Sequence, residues 1–406
     1  MKIGDKWNES KCFSDPVTGR SIRQLSTEGL INQTPTYHTN SGFTADSRFL
    51  VFVSVRGKET WIIRAEVETG ELRLVWKTDG VEDRNYIHRG MSMTIPEVDG
   101  RGICGNRVCV APRSGQAVFT VERKMLCVDI HTGVVRTLLD DCGDEWIFGA
   151  PCVSPDERSV AIALSSSHPE MRSGKWTLHP EKKYIEYMHH LQLIQIPLTD
   201  TGRHEIIYQH PVPAGSAHCA YCPADPDLLY FDLDLPPRYW CGGDGKTPRI
   251  WLLNIKEKSI RPLLASYPGP AQIHQAWLWD GSGMIYHGPA AAGGEYFGVA
   301  DLHGHKLYER VFPQVNFYGH NSPDPVKPAM IIDGFFSKDL LQWLYYDDPE
   351  CELPKLEPIC RHGTEWGSIP GQYSHPHPLA SPDGRWISFT AACDGRTDVL
   401  AVEIVR

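Results

Sequence analysis

The 406-residue sequence has no apolar run close to the roughly 20 residues that a membrane-spanning helix needs. Residues 1–16 are polar and lack the apolar core of a secretion signal. These absences predict a cytoplasmic protein with no membrane partner. The 12 cysteines are scattered along the chain without such a signal, so we expect reduced thiols rather than disulfides.

Positive charge is also scarce. The chain has 40 Lys and Arg against 50 Asp and Glu, which gives a formal net charge of -10. This balance argues against the broad basic surface with which proteins displace counterions from nucleic acids. An anionic small substrate remains compatible with it, since a local cluster of His and Arg can attract an anion within a globally acidic protein.

Two common catalytic motifs are missing as well. No Gly-x-Ser-x-Gly occurs, so a serine hydrolase with a nucleophile at a strand-to-helix turn is not indicated. No glycine-rich phosphate loop opens a helix, and helical periodicity is almost absent. Hydrolase and nucleotide-binding functions are therefore disfavoured.

Internal repetition is what the sequence does contain. A turn of the Ser-Pro-Asp-Gly type followed by a β-rich run recurs along the chain. Six instances occupy residues 43–54, 153–164, 222–233, 279–288, 322–332 and 381–391, and a seventh segment, 111–121, has the same strand-turn-strand pattern without the Asp. A tight hairpin follows most of them, so each unit of about 50 residues has four short strands, as propeller blades do. The sequence predicts an all-β fold, a seven-bladed β-propeller.

The two ends of the chain complete each other. The last repeat has only two or three strands before Arg406, whereas residues 18–27 form a single strand ahead of the first repeat. We expect one blade to combine both ends, which closes the ring and removes exposed sheet edges. The whole chain, 1–406, is predicted to be one domain, with residues 1–17 as an N-terminal arm.

Histidines recur at one register of these repeats. The residues at the start of each innermost strand surround one mouth of the central channel, and six of the seven blades have His there. These residues are His38, His88, His218, His274, His320 and the pair His375 and His377. A single His is more often a packed or surface residue than a ligand, but the shared register predicts a functional cluster.

The sharpest local motif is Gln372-x-x-His375-x-His377. Alternation along a strand places both histidines on one face, where two imidazoles can bind one ion. The Gln372 carbonyl oxygen can supply a third ligand and His320, from the neighbouring blade, the fourth. Such an uncharged ligand set leaves a metal its Lewis acidity and open positions for an anionic substrate. The alternative is a rigid, proline-punctuated strand start without a metal.

In these motifs the chain resembles the oligogalacturonate lyases, cytoplasmic seven-bladed propellers that split short galacturonides by β-elimination. The resemblance covers most of the chain in repeat layout and is strongest from about His218 onwards. It implies a divalent metal, manganese in the first place with calcium, zinc or nickel open, bound by His320, Gln372, His375 and His377.

The same resemblance implies roles for further residues. Arg249, in PRIWLLN, matches the arginine of the family and would bind the uronate carboxylate, while His274, in IHQAWLW, matches the proposed catalytic base. His218 matches the family's His-x-x-Tyr-x-Pro strand start. Arg238 and Tyr239 stand where the family has a His-containing segment, and we expect both to contact the substrate.

The sequence leaves two other functions open. The second blade differs from that of typical members, so a lyase for ulvan or rhamnosyl-glucuronate, with His38 or His88 as base, is one alternative. If the chain is an oligogalacturonate lyase, we expect these two histidines to contact the substrate instead. The other alternative is a non-enzymatic propeller that binds partners, since a fold does not imply a function. The oligomeric state stays open.

Overall fold

The computed structural model describes most of the chain. The described residues are 1–35, 41–78, 108–121, 123–143, 145–167, 188–199, 202–211, 214–216, 218–233, 248–269, 272–315, 317, 319–351, 353–369 and 371–404. Within them the strands, numbered in chain order, form seven antiparallel sheets. Each sheet is one blade, and the predicted seven-bladed β-propeller is confirmed.

The first three blades contain the N-terminal half of the chain. Blade 1 consists of β1 (Lys6–Asn8), β4 (Ile31–Gln33), β5 (Phe49–Arg56), β6 (Glu59–Glu66) and β7 (Glu71–Lys77). Blade 2 consists of β8 (Val108–Ala111), β9 (Gln116–Val121), β10 (Lys124–Asp129) and β11 (Val135–Leu139). Blade 3 consists of β12 (Trp146–Phe148), β13 (Cys152–Val153), β14 (Ser159–Ser167), β15 (Met188–Pro197) and β16 (Glu205–Gln209).

The other four blades follow in order around the ring. Blade 4 has β17 (Cys219–Cys222), β18 (Asp225–Asp232), β19 (Ile250–Asn254) and β20 (Ser259–Pro262). Blade 5 has β21 (Ile273–Trp277), β22 (Gly283–Pro289), β23 (Glu295–Asp301) and β24 (Lys306–Phe312). Blade 6 has β25 (Asn321–Pro323), β26 (Ala329–Asp333), β27 (Leu340–Tyr345) and β28 (Leu356–Arg361). Blade 7 has β29 (Leu379–Ala380), β30 (Trp386–Cys393) and β31 (Arg396–Glu403), joined by β2 (Lys11–Ser14) and β3 (Ser21–Gln24).

Buried apolar side chains hold neighbouring blades together. In β5, Leu50 and Phe52 pack into the cluster between blades 7 and 1, whereas Val51 and Val53 pack into the cluster between blades 1 and 2. Successive side chains of a strand point to opposite faces of a sheet, and both faces of a blade are covered. Most positions of the second strand are therefore buried, as in β5 and β26.

The chain ends close the ring as the sequence predicts. Strand β3 pairs with β31, with Ile22 opposite Val402. The predicted arm, residues 1–17, adds two outer strands to the sheets, because β1 pairs with β7 and β2 pairs with β3. Glu9, which lies between β1 and β2, forms an ion pair of 2.7 Å with Arg56 of β5. This contact fixes the connecting segment to blade 1.

Helices contribute little to the described residues. A 3-10 helix, Gly371–Ser374, lies ahead of β29. No helix in the described part of the chain is long and apolar enough to cross a membrane. None of the ten cysteines that the structure describes is in a disulfide.

Candidate functional site

Innermost strands bring four histidines of three blades to one end of the channel. His274 is the second residue of β21, His320 directly precedes β25, and His377 lies two residues before β29, with His375 just ahead of it. Of these, His274, His320 and His377 are buried, and His375 is partly exposed. Residues far apart in sequence thus become neighbours because their blades share one register, and the rings of the other three histidines have centroids 4.1 to 5.0 Å from that of His320.

His320, His375 and His377 form a cluster in which one ring nitrogen from each residue lies within 4.8 Å of the other two. The Nε2 atoms of His320 and His377 are 3.2 Å apart. Two nitrogens each about 2.1 Å from one ion lie about 3.0 to 3.4 Å apart at right-angle or tetrahedral geometry. The cluster therefore fits a divalent metal ion. The structure brings together all three histidines that the sequence predicts as ligands.

Burial keeps two of these imidazoles, those of His375 and His377, neutral. Burial lowers the pKa of His375 to about 3, and the neighbouring His320 acts in the same direction. Burial, followed by His320 and His375, holds the pKa of His377 well below its usual range. A metal binds the neutral form of imidazole, so these side chains are ready to bind an ion without first losing a proton.

A buried carboxylate, Asp333, supports two of the three predicted ligands. Its Oδ1 accepts a hydrogen bond of 2.5 Å from the backbone N–H of His320 and lies 3.5 Å from the Nδ1 of the same residue. Its Oδ2 accepts a 3.0 Å bond from the backbone N–H of His377. Burial alone would raise the pKa of Asp333, but His320 outweighs it and the net shift is downward. Asp333 thus links the ligand positions of blades 6 and 7.

The fourth predicted ligand, Gln372, is within the 3-10 helix Gly371–Ser374. This helix ends one residue before His375, so the backbone of Gln372 is close to the cluster in sequence. The Gln372 side chain lies outside the described residues. Its role as a ligand stays a prediction.

His274 lies beside the cluster and has an unusual backbone. Its ring centroid is 4.3 Å from that of His320. Its φ angle of 47° is in the left-handed region, which non-glycine residues rarely adopt, and His377 has the same value. The pairing of β21 with β22 shifts register between Ile273 and Ala276, as at a β-bulge. Bulges and strained residues are frequent at active sites, where they redirect side chains.

A second buried network orients Arg249 near the same mouth. Asp232 accepts a 3.0 Å bond from Nη2 of Arg249 and a 2.9 Å contact from Nδ1 of His218. Nη1 of Arg249 donates to the side-chain oxygen of Gln275 at 3.0 Å and to the carbonyl of Gln272 at 3.2 Å. These bonds hold the guanidinium in one orientation.

Burial would raise the pKa of Asp232, yet the charges of Arg249 and His218 bring it well below its usual range. Asp232 is consequently an anion that lies between two predicted site residues, Arg249 and His218. It holds both of them in fixed orientations.

Four predicted substrate contacts cannot be placed. His38, His88, Arg238 and Tyr239 lie outside the described residues. Their roles stay predictions.

Three residues that contact the predicted site residues were not predicted from the sequence: Asp232, Asp333 and His287, whose Nε2 lies 2.6 Å from Nδ1 of His274. Each is on the second strand of its blade, 13 or 14 positions after a mouth histidine. Asp232 and Asp333 end strands β18 and β26, each directly after an apolar run of four residues. That pattern, a buried carboxylate closing an apolar strand, is the signal that could have revealed them.

Two relatives with known names match most of the chain. An oligogalacturonide lyase of Pectobacterium atrosepticum is 26% identical over 302 residues, which is 70% of this chain and 72% of the relative. An oligogalacturonate lyase of Dickeya dadantii is 24% identical over 297 residues, with 70% and 72% covered. No family model matches the chain.

Solved structures with these names share the fold along the entire chain. An oligogalacturonate lyase in complex with manganese superposes with a TM-score of 0.75 at 19% identity, covering 100% of this chain and 99% of its own. The oligogalacturonate lyase of Vibrio parahaemolyticus gives 0.76 at 19% identity with the same coverage. The resemblance inferred from the sequence is confirmed by the two sequence relatives, and the propeller by the two structures.

Proposed function

We propose that this chain, a relative of the oligogalacturonate lyases, is a metal-dependent enzyme that cleaves short uronic-acid oligosaccharides by β-elimination. Oligogalacturonides are the first candidate substrate. The observation that carries the proposal is the contact between a three-histidine cluster and a fourth histidine, His274, whose ring is 4.3 Å from that of His320. The names of the relatives support the same activity and substrate class.

His320, His375 and His377 would hold the metal, with Gln372 as the predicted fourth ligand. Manganese is the first candidate, because one similar lyase was solved in complex with it. When bound, such an ion supplies Lewis acidity that withdraws charge from the uronate carboxylate. The neutral histidines do not cancel the charge of the ion, which suits an anionic substrate.

Arg249 would bind the uronate carboxylate and stabilise the additional negative charge that develops on it when the C5 proton is removed. Charge-assisted bidentate bonds from a guanidinium are among the stronger hydrogen bonds in proteins. Asp232 fixes this guanidinium, so little reorganisation is needed when the substrate arrives.

His274 would act as the general base. It takes the proton from C5, next to the carboxylate, and the electron pair of that C–H bond forms the double bond between C4 and C5. The bond from C4 to the glycosidic oxygen breaks, and the leaving oxygen takes up a proton. A histidine can perform this transfer near neutral pH because its ordinary pKa is about 6.5.

The test is a direct assay. Metal-loaded protein is incubated with digalacturonate and, separately, with glucuronate-containing oligosaccharides, and the ultraviolet absorbance of the new double bond is followed with and without chelator. We expect chelator-sensitive product from digalacturonate. No product from any uronide with manganese supplied would refute the lyase proposal, and product from glucuronate substrates alone would favour the ulvan or rhamnosyl-glucuronate alternative.

The role of His274 needs its own variant. His274→Ala is expected to retain the bound metal and to lose about 100-fold or more in kcat, as is typical when a general base is removed. Alanine variants of His38 and His88 serve as the comparison. Activity that survives in His274→Ala and disappears in one of these would transfer the role of base to that residue.

A further inference from the structure

Three side chains of blade 5 form a row of hydrogen-bond contacts that ends on His274. Nδ1 of His274 lies 2.6 Å from Nε2 of His287, and Nδ1 of His287 lies 3.4 Å from a carboxylate oxygen of Glu295. His287 is on β22, opposite the start of β21 where His274 lies, and Glu295 begins β23. Three neighbouring strands of blade 5 therefore contribute one residue each.

The order of donors along this chain follows from its end. An ionised carboxylate only accepts hydrogen bonds, so Nδ1 of His287 must carry the proton that points to Glu295. A neutral imidazole then has a lone pair at its other nitrogen, and Nε2 of His287 accepts. The bond between the rings must in turn be donated by Nδ1–H of His274. Nε2 of His274 consequently carries a lone pair, as a base requires.

The surroundings of His287 favour this arrangement. His287 has no exposed surface, and its ring packs against Phe335 at 4.7 Å and Phe297 at 5.6 Å between centroids. An apolar enclosure excludes water that could replace Glu295 or His274 as a partner, and it strengthens the hydrogen bonds that remain. The neighbouring blades 4 and 6 have Asp232 and Asp333 in the corresponding place, where blade 5 has His287.

We propose that His287 and Glu295 are positioning residues, which hold the ring of His274 in one orientation and in the tautomer with the proton on Nδ1. For the reaction this inference rests on the proposed function; for the hydrogen-bond order it rests on the geometry alone. The arrangement follows the same logic as an acid that orients a catalytic histidine through its second nitrogen.

The first measurement reads the tautomers directly. Nitrogen-15 correlation spectra of the histidine-labelled full chain are recorded in the metal-free state and after loading with zinc, and His274 is assigned by the signal lost in His274→Ala. We expect His274 and His287 to carry their protons on Nδ1. A proton on Nε2 of either ring in both states would overturn the proposal.

The second measurement is kinetic and uses metal-loaded variants. We expect Glu295→Gln and His287→Phe to lower kcat about 10- to 100-fold, with bound metal unchanged and KM changed much less. His287→Gln keeps an acceptor for Nδ1–H of His274, so it should recover a large part of the activity lost in His287→Phe. Equal kcat in wild type and Glu295→Gln would overturn the positioning role of Glu295.

The matched control is Tyr286→Phe. Tyr286 is the neighbour of His287 in β22, is equally buried and donates a 3.0 Å bond to Glu309. It measures the cost of losing one internal hydrogen bond of blade 5 away from the site, and we expect its kcat to match wild type. The spectra report the tautomers without any substrate. Failure of the positioning proposal and failure of the lyase proposal therefore give different results.

Discussion

The Nε2 atoms of His320 and His377 lie 3.2 Å apart, although the two residues are separated by 57 positions and belong to different blades. Two buried imidazole nitrogens at this distance need a cation or a shared proton between them, since two lone pairs would repel. Burial holds the pKa of His377 well below its usual range and so disfavours a second proton on its ring, but one neutral ring can still donate its own Nε2–H to the other. A divalent metal would take the place of that hydrogen bond and bind the lone pairs of both Nε2 atoms, with the ring protons on Nδ1.

This geometry predicts the effect of removing a ligand. In His320→Ala or His377→Ala we expect bound manganese to fall at least about 10-fold, since even outer-sphere changes have effects of that size. The measurement is metal content by mass spectrometry after dialysis against a fixed manganese concentration. His303→Ala is the control, because His303 is exposed. Full metal occupancy in both ligand variants would rule out this cluster as the site.

The carboxylate beneath the cluster should matter as well. Asp333→Asn keeps the size of the side chain but removes the charge beside His320, so we expect manganese affinity to fall about 10- to 100-fold. Calorimetric titration measures it. The control is Asp324→Asn, because Asp324 is in the same blade and accepts a 2.8 Å bond from Trp343 away from the cluster. Equal affinities in the two variants would contradict the supporting role of Asp333.

The guanidinium of Arg249 is predicted to be irreplaceable by an ammonium group. Arg249→Lys retains the positive charge but loses the planar fork that binds a carboxylate at two points. We expect kcat/KM for digalacturonate to fall about 100-fold or more, as for other donors that face developing charge. Arg261→Lys, on the outer strand β20 of the same blade, should behave like wild type.

Low pH should destabilise the metal-free protein. His375 has a pKa of about 3 in the folded chain, against about 6.5 in the unfolded chain. Below the unfolded value, the unfolded chain binds a proton that the folded chain does not, so stability falls as the pH drops from about 6.5 towards 3. The slope is at most about 1.4 kcal/mol per pH unit for each such histidine.

Urea unfolding of metal-free protein at several pH values between neutral and about 5 tests this. We expect His375→Gln to show a shallower pH dependence than wild type, because it removes one of the buried titrating groups. A midpoint that is independent of pH in the wild type would show that these histidines titrate normally.

Features that the repeat itself determines could be predicted from the sequence, whereas features that depend on pairing between strands could not. The second strands of all seven blades were predictable, because both faces of a blade are buried and a recurring, though degenerate, turn precedes each strand. The grouping of His274, His320, His375 and His377 was predictable for a related reason, because the repeat fixes their register. His287 and Asp333 were not, since they act through hydrogen bonds between paired strands, and no spacing within one strand reveals such a partner.

The N-terminal strands show a further limit. Residues 18–27 could be assigned to blade 7 because the last repeat lacks a strand. Strands β1 and β2 could not, since they are short, polar outer strands with exposed or half-exposed side chains. Such edges carry no hydrophobic pattern.

Ring closure therefore makes the stability of the fold depend on a residue near the N-terminus. Ile22 of β3 is 1% exposed and packs between blades 6 and 7 with Ile387 and Val402. Removing its side chain leaves a cavity, so we expect Ile22→Ala to lower the free energy of unfolding by about 2 to 5 kcal/mol. Denaturant unfolding measures the change, and Val17→Ala, at a site 52% exposed, is the control. If both variants unfolded at the wild-type midpoint, β3 would be dispensable and the propeller would be held closed by the other blades alone.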